Sequence, residues 1–283
     1  MKKEKIVIIG AGFGGLNLAK RLDKNKYDVV VVDRRNYHSF PPLFYQVASS
    51  GLEPSNIAFP VRREIRSRRM RGVLYRYGKV TEIDMAKREL VTQYERISFD
   101  KLVIAAGTTN NFFDNDTLDE HVYTLKTVPE AIRTRNAVLG RLERGSIETD
   151  PVRRKALLTF VVVGGGPAGV EVAGALGEMK RYIIKKEYPL ISRDEVRVLL
   201  VEGTGKVLGT MSPASSDDAR KALGELMVEL KLNTMVKTVE NGRVTFTDGT
   251  GIDAETIIWT AGVAGVPFVL TGTDVRAGRG GRF

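Results

Sequence analysis

The sequence predicts an α/β protein made of two repeated units, each a small parallel sheet with helices and an inserted antiparallel β-meander. Three observations predict it. Apolar strand-like runs stand before glycine-rich turns at residues 5–22 and again at 160–174. An acid closes the next strand in both places, Asp33 and Glu202. A strand-rich stretch and a short apolar strand ending in Ala-Gly follow in both, at "KLVIAAGT" (101–108) and "TIIWTAGV" (256–263).

The first unit opens on Ile6-Val7-Ile8-Ile9, a β-branched run suited to a strand buried on both faces. Gly10, Gly12 and Gly15 satisfy G-x-G-x-x-G. In that pattern the first glycine permits the tight turn, the second lets the backbone approach a pyrophosphate, and the third lets the helix pack on the strand. The helix through Leu16, Leu18, Ala19 and Leu22 then aims its amides and dipole at the phosphates. A second strand, Val29–Val32, ends in Asp33, about 20 residues on, where an acid accepts hydrogen bonds from a ribose; Arg34 follows it. A lone glycine motif is weak evidence; strand, turn, helix, strand and acid in order predict a Rossmann-like dinucleotide site.

The second unit repeats the order. Phe160–Val163 is the strand, and Gly164, Gly166 and Gly169 form the turn, with Pro167 tolerated in the first helical turn. The strand "VRVLLVE" ends in Glu202 after a longer gap, filled by "KRYIIKKEYPLISRDE", which reads as a helical extension and a loop. A helix is expected over about 213–231. The meanders are expected in "VLYRYGKVTEIDMAKRELVTQ", with a hairpin at "DMAKRE", and in "MVKTVENGRVTFTDGTGI", with a turn at Asn241-Gly242.

Composition narrows the chemistry. The chain of 283 residues has no cysteine and two histidines, His38 and His121. Thiolate catalysis, disulfide exchange and iron–sulfur clusters are excluded for these residues, and a histidine-built metal site is not expected. The start "MKKEKIVIIG" has a basic beginning like a signal peptide, but its apolar run is short and leads into the glycine turn. No apolar run of about 18 residues exists. The formal net charge of +10 favours an anionic partner, and much of it lies in "VRREIRSRRMR", residues 61–71. That stretch reads either as a solvated helix face or as a lipid-facing patch. Nucleic acid is not expected, because no nucleic-acid-binding signature accompanies the arginines.

The stretch "NYHSFPPLFYQVASSGLEPSNIAFPVR" (36–62) is similar to the "N-x-H-x-F-x-P-L-x-Y-Q-V-A" segment of type II NADH:quinone oxidoreductases. The similarity continues through "DKLVIAAGTTNNFF", "KTVPEAIRTRN", "VVVGGGPAGVEVAGALGEM" and "IIWTAGV". The resemblance implies FAD in the first unit and NADH in the second, with a hydride passing from nicotinamide to flavin and electrons to a membrane quinone. It implies that Gly10, Gly12, Gly14 and Gly15 lie against the FAD pyrophosphate, Asp33 at its ribose and the Val80 backbone at its adenine, with Arg34 also among the cofactor-binding residues. Pro42, Leu43, Tyr45 and Gln46 match the segment near the flavin, and Ala106, Gly107 and Thr108 the turn that returns to FAD. Gly164, Gly165, Gly166, Ala168, Gly169, Glu202, Ala261 and Gly262 correspond to the NADH site, Glu202 favouring NADH over NADPH. Glu171 matches an acid near the nicotinamide; it reads equally as a first-turn glutamate complementing the helix dipole. With Gln46 it makes the short list of catalytic candidates.

The expected divisions are an FAD-binding domain over 1–112, an NADH-binding domain over 113–262 with a leading linker helix, and 263–283 as the start of a return to the FAD domain. The family's C-terminal segment is expected to follow. The resemblance also implies a peripheral protein on the cytoplasmic side of a bacterial cell membrane, an anionic membrane surface as partner, and a possible homodimer. Two other readings fit the residues: an NAD(P)H-dependent reductase of a ferredoxin-like carrier, and a non-catalytic NAD(H)-binding fragment.

Overall fold

The computed structural model describes residues 2–113, 118–278 and 280–281. The chain divides into two units, one formed by Met1–Phe40, Ala58–Thr109 and Val263–Phe283, the other by Pro41–Ile57 and Asn110–Gly262.

In the first unit, β1 (Glu4–Ile9) and β2 (Tyr27–Asp33) lie side by side in parallel, Ile6 opposite Val29 and Ile9 opposite Val32. Lys101–Ile104 flanks β1 and Leu74–Tyr77 flanks β2, both parallel. The stretch "VLYRY" therefore belongs to this sheet and not to the meander, where the sequence pattern had placed it. The reason is visible in alternation: Tyr75 is buried among Ile6, Ile8, Val29 and Val31, while Leu74 and Tyr77 are exposed. Residues Ile6, Ile8, Val29 and Val31 face α1 (Phe13–Arg21) through Leu16 and Ala19. Val7, Ile9, Val30 and Val32 face the opposite way, onto Ile83, Leu90 and Ile97 of the meander. Both faces are covered, which is why every residue of the strand interior is apolar. Each buried valine or isoleucine contributes about 1.5–3 kcal/mol. The meander strands are Val80–Asp84, Glu89–Thr92 and Arg96–Ser98, with Val269–Thr271 added in parallel at its edge. Lys20 and Arg21 close α1 at the negative end of its dipole.

The second unit repeats the plan with β3 (Thr159–Val163), α2 (Pro167–Glu178) and β4 (Arg197–Val201). Its parallel sheet runs Tyr123–Thr124, Thr256–Trp259, β3, β4, Glu229–Lys231. Phe160, Val162, Val198 and Leu200 pack with Val172, Ala173 and Leu176 of α2, while Val161, Val163, Leu199 and Val201 pack with Val239, Val244 and Phe246 of the second meander. That meander turns at Asn241 and Gly242, both at positive φ (50° and 72°), between the paired residues Glu240 and Arg243. Residues 179–187 continue α2 through a π-helical turn, Met179–Ile183, and a short helix, Ile184–Glu187.

Two further expectations are corrected. The helix expected over 213–231 ends at Glu225, and Glu229–Lys231 is an edge strand paired with β4. Leu226, Met227 (φ 59°) and Val228 turn the chain, so the apolar residues that prolonged the helical pattern serve a strand. The basic stretch 61–71 is not one helix face. It holds a five-residue helix, Val61–Ile65, and a 3₁₀ turn, Arg68–Met70, pinned by buried Val61 and Met70 with Arg62, Arg63, Arg66, Arg68, Arg69 and Arg71 exposed.

Candidate functional site

Both glycine turns are built by the same four constraints. Gly10 stands at φ 106° and Gly164 at φ 108°, a region that L residues rarely enter. The Gly10 N–H donates to Val32 O at 2.8 Å, and the Gly164 N–H to Val201 O at 2.8 Å. A Cβ at Gly15 would collide with the Gly10 carbonyl oxygen, and one at Gly169 with the Gly164 carbonyl oxygen. Gly15 and Gly169 are therefore the packing glycines that seat each helix under its turn. Gly12 and Gly166, by contrast, have open space where a Cβ would stand. Neither α1 nor α2 carries a side-chain N-cap, which leaves the first-turn amides to water or an anionic ligand.

The strand-terminal acids brace the same turns. Asp33 Oδ2 accepts from the Ala11 N–H at 2.6 Å and Oδ1 from the Arg35 N–H at 2.8 Å. Glu202 Oε2 accepts from the Gly165 N–H at 2.6 Å and Oε1 from the Thr204 N–H at 2.8 Å. Each carboxylate oxygen keeps a second lone pair, so bracing the turn does not preclude accepting from a ribose hydroxyl.

In the first unit a cleft of about 110 Å³ is lined by Gly10, Asp33, Arg34, Val80, Ala106 and Thr108, among others. Six residues expected at one ligand from distant parts of the sequence thus share one cavity. Arg35, Lys79 and Phe268 line it as well and were not anticipated. Gly107 sits at φ 74° in the turn after Lys101–Ile104. Gly14 has only the Ala105 methyl near its Cβ position.

In the second unit a larger cleft, about 530 Å³, is lined by Gly164, Gly166, Glu202, Ala261 and Gly262 together with Phe112, Phe113, Met235 and Trp259. Trp259 is fixed there, its Nε1–H donating to Asn111 O at 3.0 Å and its ring 5.9 Å from that of Phe112. The aromatic wall has no motif-level signal; Trp259 stands in the sequence only as one letter of the closing strand "TIIWTAGV". Gly165 lies against Glu202, and Ala168 and Gly169 follow in the first turn of α2.

Pro42, Leu43 and Gln46 belong to the second unit, although the sequence division placed them in the first. The helix Phe44–Ala48 carries Gln46, whose Nε2 donates to the Tyr45 hydroxyl at 3.2 Å. Glu171 is not a first-turn residue: α2 has no acid in its first turn. Its carboxyl is held above the ordinary carboxylate value by crowding protein atoms, although the residue still reaches solvent. Its place beyond the first turn, where the dipole's effect has fallen off, is what overturns the capping account of Glu171. Among the described residues no cluster of histidine and acidic side chains suits a metal ion, and no helix is long and apolar enough to cross a membrane.

The family described as pyridine nucleotide-disulphide oxidoreductase matches residues 4–283. The chain belongs to that family. It is 36% identical over 271 residues to the type II NADH:quinone oxidoreductase Ndh of Mycobacterium tuberculosis, covering 93% of this chain and 58% of that protein. It is 35% identical to NdhA of the same organism, covering 98% and 62%. Among solved structures, NDH2 from Plasmodium falciparum in complex with NADH superposes with a TM-score of 0.86 at 25% identity, covering 94% of this chain and 56% of that one. The chain thus spans about three fifths of the length of the relatives it matches. The family's description names a disulphide, yet these 283 residues contain no cysteine.

Proposed function

We propose that the first unit binds FAD, the second binds NADH, and the protein oxidises NADH and passes the two electrons to a membrane quinone. The doubled, acid-braced glycine turn carries this reading: the chain holds two complete dinucleotide-type turns, each beside its own cleft. The quinone rests on the relatives named NADH:quinone oxidoreductases, which are similar over nearly the whole chain.

Bound FAD supplies the two-electron acceptor for the nicotinamide hydride. The protein's own contribution is binding and orientation. In the first unit the open space at Gly12 and the uncapped start of α1 suit a pyrophosphate, and Asp33 with Arg34 suits the adenosine ribose. In the second unit Gly166 and α2 take the corresponding role. Glu202 accepts from a 2′-hydroxyl and repels a 2′-phosphate, which selects NADH over NADPH. Glu171 is assigned to the surroundings of the nicotinamide. The exposed arginines of 61–71 are assigned to an anionic membrane surface, each contributing about 1 kcal/mol.

The test is a titration of the protein with FAD and with NADH, followed by steady-state oxidation of NADH with a soluble quinone or a ferredoxin as acceptor. Binding of both dinucleotides with turnover on the quinone is expected. Flavin binding with turnover on ferredoxin alone would replace the quinone by a protein acceptor, and NADH binding without any flavin would leave a nucleotide-binding module. Replacing Arg66, Arg68, Arg69 and Arg71 by Gln should weaken co-sedimentation with anionic vesicles, and unchanged binding would make the cluster a solvated surface.

A further inference from the structure

We propose that His38 is a positioning residue that fixes the carbonyl of the first glycine turn and thereby aims the Gly12 N–H at the phosphates of FAD; the ligand half of this rests on FAD occupying the first unit. His38 lies in the segment that resembles the quinone oxidoreductases, yet neither the glycine motif nor the acid accounts for it.

The internal duplication supplies the reason. In the second unit the residue after the first glycine is held at both ends: the Gly165 N–H by Glu202 at 2.6 Å, and the Gly165 carbonyl by the Leu208 N–H at 2.7 Å. In the first unit the matching residue is Ala11. Its N–H is held by Asp33 at 2.6 Å, and its carbonyl by His38 Nδ1 at 2.8 Å. A side chain thus does in one unit what a backbone amide does in the other.

The bond fixes the ring's chemistry. A carbonyl oxygen only accepts, so Nδ1 carries the proton. The ring is held for that purpose. His38 is 7% exposed, meets Phe13 edge-on at 5.1 Å and lies 4.9 Å from Phe59. Its backbone is in a short strand, Tyr37–Ser39, paired antiparallel with Ala58–Pro60. Ala11 is 2% exposed, so water does not readily replace the lost donor.

The consequence follows from peptide planarity. In a trans peptide the carbonyl and the following N–H point in opposite directions. Fixing the Ala11 oxygen therefore fixes the Gly12 N–H, on a residue whose Cβ position is open space. The turn is set before a phosphate arrives, and binding is spared the cost of ordering it.

Two measurements test this on the 283-residue chain. The first is the ¹⁵N spectrum of the histidine rings, which is simple because only His38 and His121 are present. A proton on Nδ1 is expected for the signal that disappears in His38→Phe and in His38→Asn; a ring protonated at Nε2 alone overturns the proposal. The second is titration of the apo-protein with FAD and, separately, with NADH, alongside its thermal midpoint. His38→Phe keeps an aromatic ring and loses the donor, and FAD affinity is expected to fall about tenfold. His38→Asn keeps an amide donor near the Nδ1 position and should stay within about threefold of wild type. NADH affinity should be unchanged in both variants. Equal FAD binding by His38→Phe and wild type overturns the proposal. So does a fall in NADH affinity matching that for FAD, which marks general loosening. If His38→Phe does not fold, the position of the ring proton, read from the signal lost in His38→Asn, still decides. A wild-type chain that binds no FAD overturns the flavin reading itself, and with it the ligand half of the proposal, whatever the tautomer.

Discussion

Gly10 and Gly164 differ by 2° in φ and make amide bonds of the same length, yet the clefts beside them share little. The first is small and edged by Asp33, Arg34, Arg35 and Lys79; the second is several times larger and walled by Phe112, Phe113, Met235 and Trp259. The turn is over-determined by sterics: one glycine must take positive φ and another must let a helix lie on a carbonyl. Nothing of that kind constrains the side chains around it. Duplication therefore preserves the backbone of the turn and leaves the lining free to diverge, and on the proposed function that divergence is what would suit two copies of one unit to two different dinucleotides.

The largest expected effects test whether the two turns are as equivalent as they look. Gly15→Ala and Gly169→Ala each drive a methyl into a backbone carbonyl, Gly169→Ala also into Thr260 Oγ1 at 2.7 Å. Each should cost about 3 kcal/mol in urea unfolding, and each should remove binding of its own dinucleotide. Gly12→Ala and Gly166→Ala enter open space and should change stability by less than about 1 kcal/mol. If the four variants were equally destabilised, packing would not be what separates these glycines. If Gly15→Ala damaged NADH binding as much as FAD binding, the two units would not be energetically separate.

The braces come next. Asp33→Asn should weaken FAD and spare NADH, and Glu202→Gln should weaken NADH and spare FAD, each by about tenfold, the loss of one charged hydrogen-bond acceptor. Glu202→Gln should also narrow the preference for NADH over NADPH, because the repulsion of the 2′-phosphate is gone. Dinucleotide titrations of the two variants check this. Equal use of NADPH by the wild type would contradict the role given to Glu202.

These comparisons also show what the residues reveal unaided. The turns, the acids, both meanders and the duplication were legible because each depends on local pattern: β-branched runs, glycine spacing, an acid at a strand end. The strand Leu74–Tyr77 was misassigned because an edge of a parallel sheet and the start of a meander have the same alternation. The helix after Pro213 extends too far in the sequence reading because Leu226, Met227 and Leu230 stand three, four and seven residues after Leu223, a helical apolar spacing, while serving a turn and a strand. The aromatic wall and the His38 bond went unseen for another reason. Both join residues dozens of positions apart, His38 to Ala11 and Trp259 to Asn111, and no spacing rule connects them.

The smallest expected effect lies where the two helices differ at one matched position. Glu171 of α2 corresponds to Asn17 of α1, whose side-chain amide donates to Phe13 O at 2.8 Å. Crowding raises the Glu171 carboxyl above its ordinary value of 4.5. A raised acid binds its proton more tightly in the folded chain than in the unfolded one. Its contribution to stability is therefore fully present below the unfolded value, near pH 4.5, and is lost as pH rises through the folded one. Glu171→Gln keeps the shape of the protonated form and has no such step. Thermal midpoints from pH 4 to pH 7 should show the glutamine variant gaining slightly on wild type as pH rises, and matching it at the acid end. Because Glu171 is solvent-exposed, the gain should be small, on the order of a degree. Asn17→Gln, with no titrating group, should run parallel to wild type throughout. A pH-independent difference for Glu171→Gln would show that the carboxyl is as well solvated in the folded chain as in the unfolded one, and that burial does not act on it.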